Sequence, residues 1–281
     1  MSSQTTTAVF WNVWGHRKAF EIQAWLKQHL SGVEIFCLTE VTDSGHGENV
    51  VHSSTDRNEP PSSLNGRAQL DDLTAHDFGL LYGAAGRDTW SCMLTDKVFD
   101  EVGFGSALVY RNDLRVIDLG QKPVVLDGSV SDRMLQWIVH EVAGVRYLVA
   151  HLHGVWIKEN TKGDHPLRLE QARQVREHLH HVETAYNVSK TIFGGDLNLA
   201  LDTNALTALE YGAGSESRYR NLIKERGIKN TRTKSYRKFS MKGESMHADY
   251  VLVSSEVDVV QFSVETEADA SDHAPLLITY R

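Results

Sequence analysis

The chain has 281 residues, of which 41% are hydrophobic and 23% are charged, and its formal net charge is −8. This composition is typical of a globular protein with a substantial core, and it excludes a long disordered or low-complexity chain. The acidic total also argues against a protein that holds long nucleic acid on a broadly basic face.

Strand-like and helix-like segments alternate along the chain. Strands are predicted at 7–14 and 33–41, with a helix between them over 17–30, where apolar residues recur at helical spacing. A polar loop is expected over 43–62, which contains Pro-Pro, and a helix over 64–76. Further strands are predicted at 79–84, 105–111, 115–119, 134–142, 145–153, 190–198, 247–254, 259–265 and 274–280, and further helices at 165–186, 203–210 and 218–226.

The order of these segments predicts the architecture. No repeat, low-complexity tract or linker divides the chain. Many strands, with helices between distant blocks, are typical of two sheets covered by helices. We therefore expect a single domain over residues 1–281.

The cysteines and the lack of a long apolar segment predict where in the cell the protein is located. No apolar run approaches the roughly 20 residues that a membrane-spanning helix needs, so no membrane insertion is expected. The first residues lack a basic segment followed by an apolar one, which argues against a secretory signal. Cys37 lies in the apolar segment VEIFCLTEV and is expected to be a core residue. These features predict a cytoplasmic protein without disulfides.

Several predicted strands end in, or next to, a polar side chain suited to bind a hard cation or a phosphate. In the segment TIFGGDLNLA, Asp196 and Asn198 lie two residues apart, so they share one side if the strand continues that far. The other polar endings are Asn12, Glu40, Asp249, the pair His151 and His153, and the pair Asp272 and His273.

Together these endings predict a site for a metal and a phosphate. Taken singly, each has an ordinary explanation, such as a satisfied core amide at Asn12, a loop carboxylate at Glu40, or a turn in SDH. Buried carboxylates are costly, however, unless they are paired or bind a metal. Oxygen ligands with few cysteines favour magnesium, manganese or calcium over a softer metal.

A family resemblance supports this interpretation. The segments GGDLN, ADYVLVS and SDHAPL, with WNVWG and LTEV near the start of the chain, resemble the endonuclease/exonuclease/phosphatase superfamily. The segment HGVWIKENTKGDHPLRLEQARQ is similar to uncharacterised bacterial members. The resemblance extends over almost the whole chain and implies an α/β fold, a four-layer sandwich of two packed, mainly antiparallel β-sheets flanked by helices. That fold agrees with the alternation of predicted strands and helices.

The resemblance also implies a metal site. Glu40 would be the main metal-ligating carboxylate, with Asn12 beside it and Asp272 completing the surroundings of the metal. The implied cofactor is Mg²⁺, with Mn²⁺ as a substitute.

The remaining matching residues receive catalytic roles from the same resemblance. Asp196 would orient or deprotonate the attacking water, and Asn198 would hold a phosphate oxygen. His273 would face the scissile phosphate and would be oriented by Asp249.

A further catalytic histidine is implied after the strand at 145–153. We select His153, because its HG step matches the bacterial members, and keep His151 as the alternative. The HxH spacing also begins the zinc site of metallo-β-lactamase-like hydrolases. Val155 and Trp156 occupy the positions where that site has aspartate and histidine, so the zinc interpretation fails.

The predicted function is a metal-dependent phosphoesterase that hydrolyses phosphodiester bonds, with DNA or RNA as the preferred substrate. The basic segment over 231–242 is either a solvated loop or a phosphate-contacting one. Arg168 and Arg232 either contact substrate phosphates or form structural ion pairs.

Two alternatives stay open. One is a phosphatase or phosphodiesterase that acts on a phosphorylated small molecule or a lipid, such as a nucleotide, an inositol phosphate or a sphingomyelin-like substrate. The lack of an amphipathic segment rich in Trp and Lys lowers the lipid option. The other is a non-catalytic binding protein, against which the complete set of catalytic residues argues.

Overall fold

The computed structural model of the chain describes residues 4–14, 17–41, 90–95, 98–99, 102–103, 105–125, 133–158, 160, 162–211, 219–236 and 246–281. The loop predicted at 43–62, the helix at 64–76 and the strand at 79–84 lie outside the described residues.

Two six-stranded sheets form the centre of the fold. The first sheet has the strand order β13-β14-β1-β2-β6-β3. Its strands are β1 (Thr6–Asn12), β2 (Ile35–Val41), β3 (Trp90–Thr95), β6 (Gly105–Arg111), β13 (Val259–Val264) and β14 (Leu276–Tyr280).

The second sheet has the order β11-β12-β10-β9-β8-β7. Its strands are β7 (Arg115–Val124), β8 (Arg133–Val142), β9 (Val145–His151), β10 (Lys190–Asp196), β11 (Tyr219–Asn221) and β12 (Asp249–Ser254), and the short strands β4 (Val98–Phe99) and β5 (Val102–Gly103) form a separate pair.

Each large sheet contains one parallel pair at its centre. In the first sheet β1 is parallel to β2, and in the second sheet β10 is parallel to β9, whereas the other neighbours are antiparallel. The prediction of mainly antiparallel sheets is therefore confirmed. Because parallel neighbours end at the same edge of a sheet, their final residues lie close together.

The main core lies between the two sheets. Alternate residues of each strand face the opposite sheet, because successive side chains point to opposite faces. Buried residues between the sheets include Ala8, Phe10, Ile35 and Cys37 from the first sheet and Val149, Ile192, Val251 and Val253 from the second. Cys37 is a core residue, as predicted.

Helices cover the outer faces of both sheets. The helix α1 (Ala19–His29) lies against the first sheet, and α2 (Pro166–Tyr186) lies against the second. Two shorter helices follow, α3 (Asn204–Tyr211) and α4 (Leu222–Glu225). The buried residues of α1 are Ile22, Trp25 and Leu26, which cluster with Val9, Trp11, Phe36 and Leu38, and those of α2 include Ala172, Val175, Leu179 and Val182. The predicted four-layer sandwich is confirmed.

Local signals in the sequence explain the limits of α2. Pro166 occupies the first helical position, where its missing N–H costs nothing, and Nδ1 of His165 accepts a hydrogen bond from the backbone N–H of Leu167. Asn187 ends the helix in a left-handed conformation with φ of 51°.

One predicted element is wrong in its first half. The helix predicted over 218–226 begins only at Leu222, since Tyr219–Asn221 forms β11 and pairs with β12. The buried hydroxyl of Tyr219 donates to Glu183, which fixes this segment against α2. The side chain of Asn221 accepts from the N–H groups of Ile223 and Lys224 and so caps the short helix.

The strand β3 was not predicted, and several boundaries differ. The strands predicted at 145–153 and 190–198 end at His151 and Asp196, and the strand predicted at 115–119 continues to Val124. None of the helices that the structure describes is both long and apolar enough to cross a membrane.

Candidate active site

Two glycines bring the end of β10 into the site. Gly194 faces Phe10 of the first sheet, and a Cβ atom there would lie only 2.9 Å from the phenyl ring. Gly195 has a φ of +125°, and a Cβ there would clash with the carbonyl oxygen of Leu152. Asp196 follows on the same face as Gly194, and its side chain is buried. The strand therefore ends on a carboxylate directed between the two sheets.

A β-bulge redirects Glu40. Simple alternation would place this side chain on the face of Leu38, which packs in the cluster with α1. The pairing of β2 with β6 shifts register between Thr39 and Val41, and Glu40 has a φ of 54°. Such bulges commonly re-aim a side chain beside a functional site. Glu40 instead accepts a hydrogen bond from Asn12.

Asn12 connects the edges of the two sheets. Its Nδ2 donates to Glu40 Oε1 at 3.0 Å and to Asp196 Oδ2 at 3.0 Å. Its Oδ1 accepts from the backbone N–H of Trp14 at 2.8 Å. The fully buried amide therefore holds two carboxylates in place, while its role as a metal ligand stays a prediction.

The predicted pair of His273 and Asp249 is in direct contact. Asp249 lies opposite Asp196 in the register of β12 with β10. The Nδ1 atom of His273 lies 2.8 and 2.9 Å from the two oxygens of Asp249, and Thr231 Oγ1 donates to the same carboxylate at 2.9 Å. The Nε2 atom of His273 lies 3.4 Å from Asp196 Oδ2. Asp249 thus holds one ring nitrogen while the other faces Asp196.

The structure distinguishes the two arginines whose roles the sequence left undecided. Arg232 Nη1 donates to Asp272 Oδ2 at 3.2 Å and also contacts Nε2 of His273, so Arg232 belongs to the site. Arg168 donates to the backbone carbonyls of Val155 and Gly163. Arg168 therefore stabilises the chain between β9 and α2.

His153, and not His151, reaches the site. The strand β9 ends at His151, which is completely buried and lies 2.8 Å from the side-chain oxygen of Gln136. The Nε2 atom of His153 lies 3.6 Å from Glu40 Oε1 and 3.7 Å from Asp196 Oδ2. The structure therefore places His153 beside the carboxylates, whereas its catalytic role stays a prediction.

Asn198 stabilises the loop that follows β10. It has a φ of 53°, an uncommon conformation for a residue other than glycine. Its backbone N–H donates to Asp196 Oδ1 at 3.0 Å, and its Nδ2 donates to the carbonyl of Gly154 at 3.2 Å. Among the described residues only one acceptor meets the two amide protons of Asn198, so the predicted contact with a phosphate oxygen stays open.

Sequence reasoning missed Arg133 as a member of the site. Arg133 is the first residue of β8, and its Nη1 lies 2.9 Å from Nδ1 of His153. An isolated arginine before an apolar strand matches no motif. The signal lies in the topology, because β8 runs antiparallel to β9 and its first residue meets the segment just after His151.

Burial raises the pKa of two carboxyl groups in the site. The pKa of Glu40 rises to about 7, chiefly through burial, and the charges of Asp196 and Asp272 add to the rise. Burial also raises the pKa of Asp249 to about 7, against the opposing charge of Arg232. Crowded carboxylates of this kind repel each other unless a cation or a proton is present.

The same carboxylates fit a divalent cation. Ligand atoms of Glu40, His153 and Asp196 lie within 4.8 Å of one another, as do those of Asp196, Asp249 and His273. Asp272 Oδ1 is buried and has no hydrogen-bond partner among the described residues. A buried carboxylate oxygen without a donor is a suitable ligand for a hard cation.

Replacing Glu40 with glutamine should weaken the response of the fold to magnesium. The metal-free variant should be no less stable than the parent, because one repelling charge is removed. At ten times Kd, a cation raises the free energy of unfolding of the parent by about 1.4 kcal/mol. That gain corresponds to roughly 3–6 °C in melting temperature for a chain of this size. The variant should lose most of this rise.

Thermal melts with chelator and with magnesium test this expectation. Glu256→Gln serves as the control, since Glu256 is exposed and lies outside the site. Its magnesium response should equal that of the parent. An equal response in Glu40→Gln would eliminate Glu40 as a metal ligand.

Comparisons with known proteins place this site in context. The sequence profile of the Endonuclease/Exonuclease/phosphatase family matches residues 9–273. No curated protein matches the sequence significantly.

Solved structures resemble the chain over nearly its whole length. A mannosyl-6-phosphatase of Bacteroides thetaiotaomicron is 17% identical, covers 98% of this chain and 99% of its own, and has a TM-score of 0.66. Truncated TDP2 of Caenorhabditis elegans is 16% identical, with coverages of 98% and 97% and a TM-score of 0.65. The human Nocturnin catalytic domain with bound sulfate is 14% identical, with coverages of 99% and 95% and a TM-score of 0.61. At these identities the likeness demonstrates a shared fold.

Proposed function

The chain belongs to the endonuclease/exonuclease/phosphatase family, whose members hydrolyse phosphoester bonds, and we propose that it is a Mg²⁺-dependent phosphodiesterase acting on DNA or RNA. It acts as a single-domain, cytoplasmic enzyme, and Mn²⁺ can replace Mg²⁺. One observation carries the proposal, namely that all the residues predicted from separate segments of the chain form one contact network around Asp196. They are Asn12, Glu40, His153, Asp196, Asn198, Asp249, Asp272 and His273.

The side chains of this network suit the hydrolysis of a phosphoester. The attacking water must lose a proton, and Asp196 Oδ2, next to Nε2 of His273, is the base that we assign. Asp249 holds the ring of His273 with Nε2 beside Asp196 Oδ2, where the phosphate would bind. A divalent cation held by Glu40 and Asp272 would neutralise charge on the phosphate.

A substrate panel tests the proposal. The purified protein is incubated with single- and double-stranded DNA, RNA, a soluble inositol phosphate, a sphingomyelin analogue and mannose 6-phosphate. We expect magnesium-dependent cleavage of nucleic acid that stops with chelator and returns with manganese. Cleavage of a small phosphate alone would overturn the nucleic-acid assignment, and inactivity on the whole panel would overturn the phosphoesterase assignment.

A second candidate is a phosphatase for a phosphorylated small molecule. The net charge of −8 favours a small substrate over a long polyanion. The mannosyl-6-phosphatase of Bacteroides thetaiotaomicron, which shares the fold over 98% of this chain, acts on such a substrate according to its name. Preferential cleavage of mannose 6-phosphate or the inositol phosphate in the panel would select this candidate.

A further inference from the structure

The ring of Tyr236 contacts two cations at the edge of the candidate active site. The guanidinium carbon of Arg232 lies 4.7 Å from the ring centroid, and Nζ of Lys162 lies 5.5 Å from it. Both distances are within the range over which the negative face of an aromatic ring attracts a cation. Tyr236 is half-buried, whereas Arg232 and Lys162 are buried. The attraction is stronger for buried cations, because they are less hydrated.

Hydrogen bonds hold the guanidinium of Arg232 through one nitrogen atom. Both hydrogen bonds that it makes to the described residues come from Nη1, which contacts Oδ2 of Asp272 and Nε2 of His273. Its Nε atom is buried and has no hydrogen-bond partner among those residues. A planar group held through one nitrogen can tilt about that atom. The face of the Tyr236 ring is therefore the contact that limits this movement.

The backbone that carries Tyr236 is fastened to the segment before β14. Arg232 pairs with His273 in an isolated β-bridge. The N–H of Thr233 donates to the carbonyl of Asp272 at 3.2 Å, and the N–H of Tyr236 donates to the carbonyl of Thr233 at 3.1 Å. This part of the basic segment is thus attached to the site through its backbone, which gives the Tyr236 ring a defined position.

Lys162 reaches the same ring from a separate loop, between β9 and α2. The carbonyl of Lys162 accepts from the N–H of Ala200 at 2.9 Å, just beyond the end of β10. Asp164 accepts from the N–H of Asn204 at 3.1 Å, which ties the loop to the start of α3. The ring of Tyr236 therefore connects this loop with the segment before β12.

We propose that Tyr236 is a positioning residue, whose ring face holds the guanidinium of Arg232 in its contact with His273. This inference rests on the proposed phosphoesterase function and assigns a role in it to an aromatic ring. Arg232 contacts Nε2 of His273, the ring nitrogen that lies beside Asp196. A displaced guanidinium would change the charge next to the reacting phosphate, so the loss of the ring should slow the reaction.

Steady-state kinetics on the best substrate of the panel compare the parent with Tyr236→Phe and Tyr236→Leu. Phenylalanine keeps the aromatic face, so kcat/KM should stay close to the parental value. Leucine keeps an apolar side chain and loses the face, so kcat/KM should fall roughly 5- to 30-fold. Tyr211→Leu is the matched control, because Tyr211 is an exposed tyrosine at the end of α3. Its kcat/KM should equal that of the parent.

A second comparison shows whether Tyr236 acts through Arg232. Arg232→Met removes the guanidinium, so the ring has nothing left to hold there. The double variant Arg232→Met/Tyr236→Leu should then have nearly the kcat/KM of Arg232→Met alone. If the two losses multiply instead, Tyr236 acts independently of Arg232, and the positioning role is overturned.

A spectroscopic readout tests the contact without turnover. The ring current of an aromatic side chain shifts the resonances of protons above its face upfield. In ¹H–¹⁵N spectra of the arginine side chains, the Nε–H signal of Arg232 is identified by its absence in Arg232→Met. This signal should keep its position in Tyr236→Phe and move downfield in Tyr236→Leu. If Tyr236→Leu does not fold, Tyr236→Met provides the same comparison.

The outcomes separate this inference from the proposed function. An unmoved Arg232 signal in folded Tyr236→Leu, or parental kcat/KM in that variant, would overturn the positioning role. A signal that moves as expected, combined with a parent that cleaves no substrate of the panel, would support the hold of the ring on Arg232 and overturn the phosphoesterase function.

Discussion

Replacing Asp196 with asparagine is expected to lower kcat by a factor of about 10²–10⁴, the usual contribution of a positioned acid or base. The substitution removes the basic oxygen and keeps the shape of the side chain. One amide oxygen still accepts the bond that Asn198 N–H makes to Asp196 Oδ1 in the parent. The new amide group faces Nδ2 of Asn12 and loses the hydrogen bond that Asp196 Oδ2 accepts in the parent, but the packing is unchanged, so the fold should survive.

Steady-state kinetics on the best substrate of the panel, with a thermal melt of each variant, measure this effect. Asp113→Asn is the control, since Asp113 is an exposed carboxylate on the turn after β6 and its loss should leave kcat unchanged. A folded Asp196→Asn variant with parental kcat would refute the assignment of Asp196 as the base.

The sandwich could be predicted because its signals are local. The helix α1 shows apolar residues at helical spacing, and β1 and β2 are apolar segments that end on polar residues. Asp196 was selected because it ends such a strand, and Asp249 because it adjoins one, since it is the first residue of β12. Parallel strands at the centre of each sheet then bring these endings to common edges.

The rest could not be predicted because it depends on pairing between distant segments. Strict alternation would direct Glu40 toward α1, and only the bulge against β6 turns it into the site. Arg133 enters the site through the antiparallel register of β8 and β9, which no local pattern specifies. The sequence from Tyr219 onward is typical of the start of a helix, but the hydrogen bond of Tyr219 to Glu183 holds this segment as a strand. In each case a tertiary contact overrides the local preference.

Removing the imidazole by His273→Ala should lower kcat by at least as much as Asp196→Asn, because a contact to the phosphate in the transition state is lost. Asp249→Asn alone should have a smaller effect, since the amide oxygen can still accept the Nδ1–H bond of the ring. Thr231 still donates to residue 249 through its hydroxyl, so the local structure should persist.

The combined variant Asp249→Asn/His273→Ala separates an orienting role of Asp249 from an independent one. Both oxygens of Asp249 lie within 2.9 Å of Nδ1 of His273, which makes the two residues one unit. If Asp249 acts only through the ring, its replacement has nothing further to disturb once the ring is gone, and the double variant should have nearly the kcat of His273→Ala. The measurement is kcat for the parent, both single variants and the double variant under identical magnesium. If the factors by which the two single variants lower kcat multiply in the double variant, Asp249 acts on the substrate or the metal independently of His273. Orienting the ring would then not be its catalytic role.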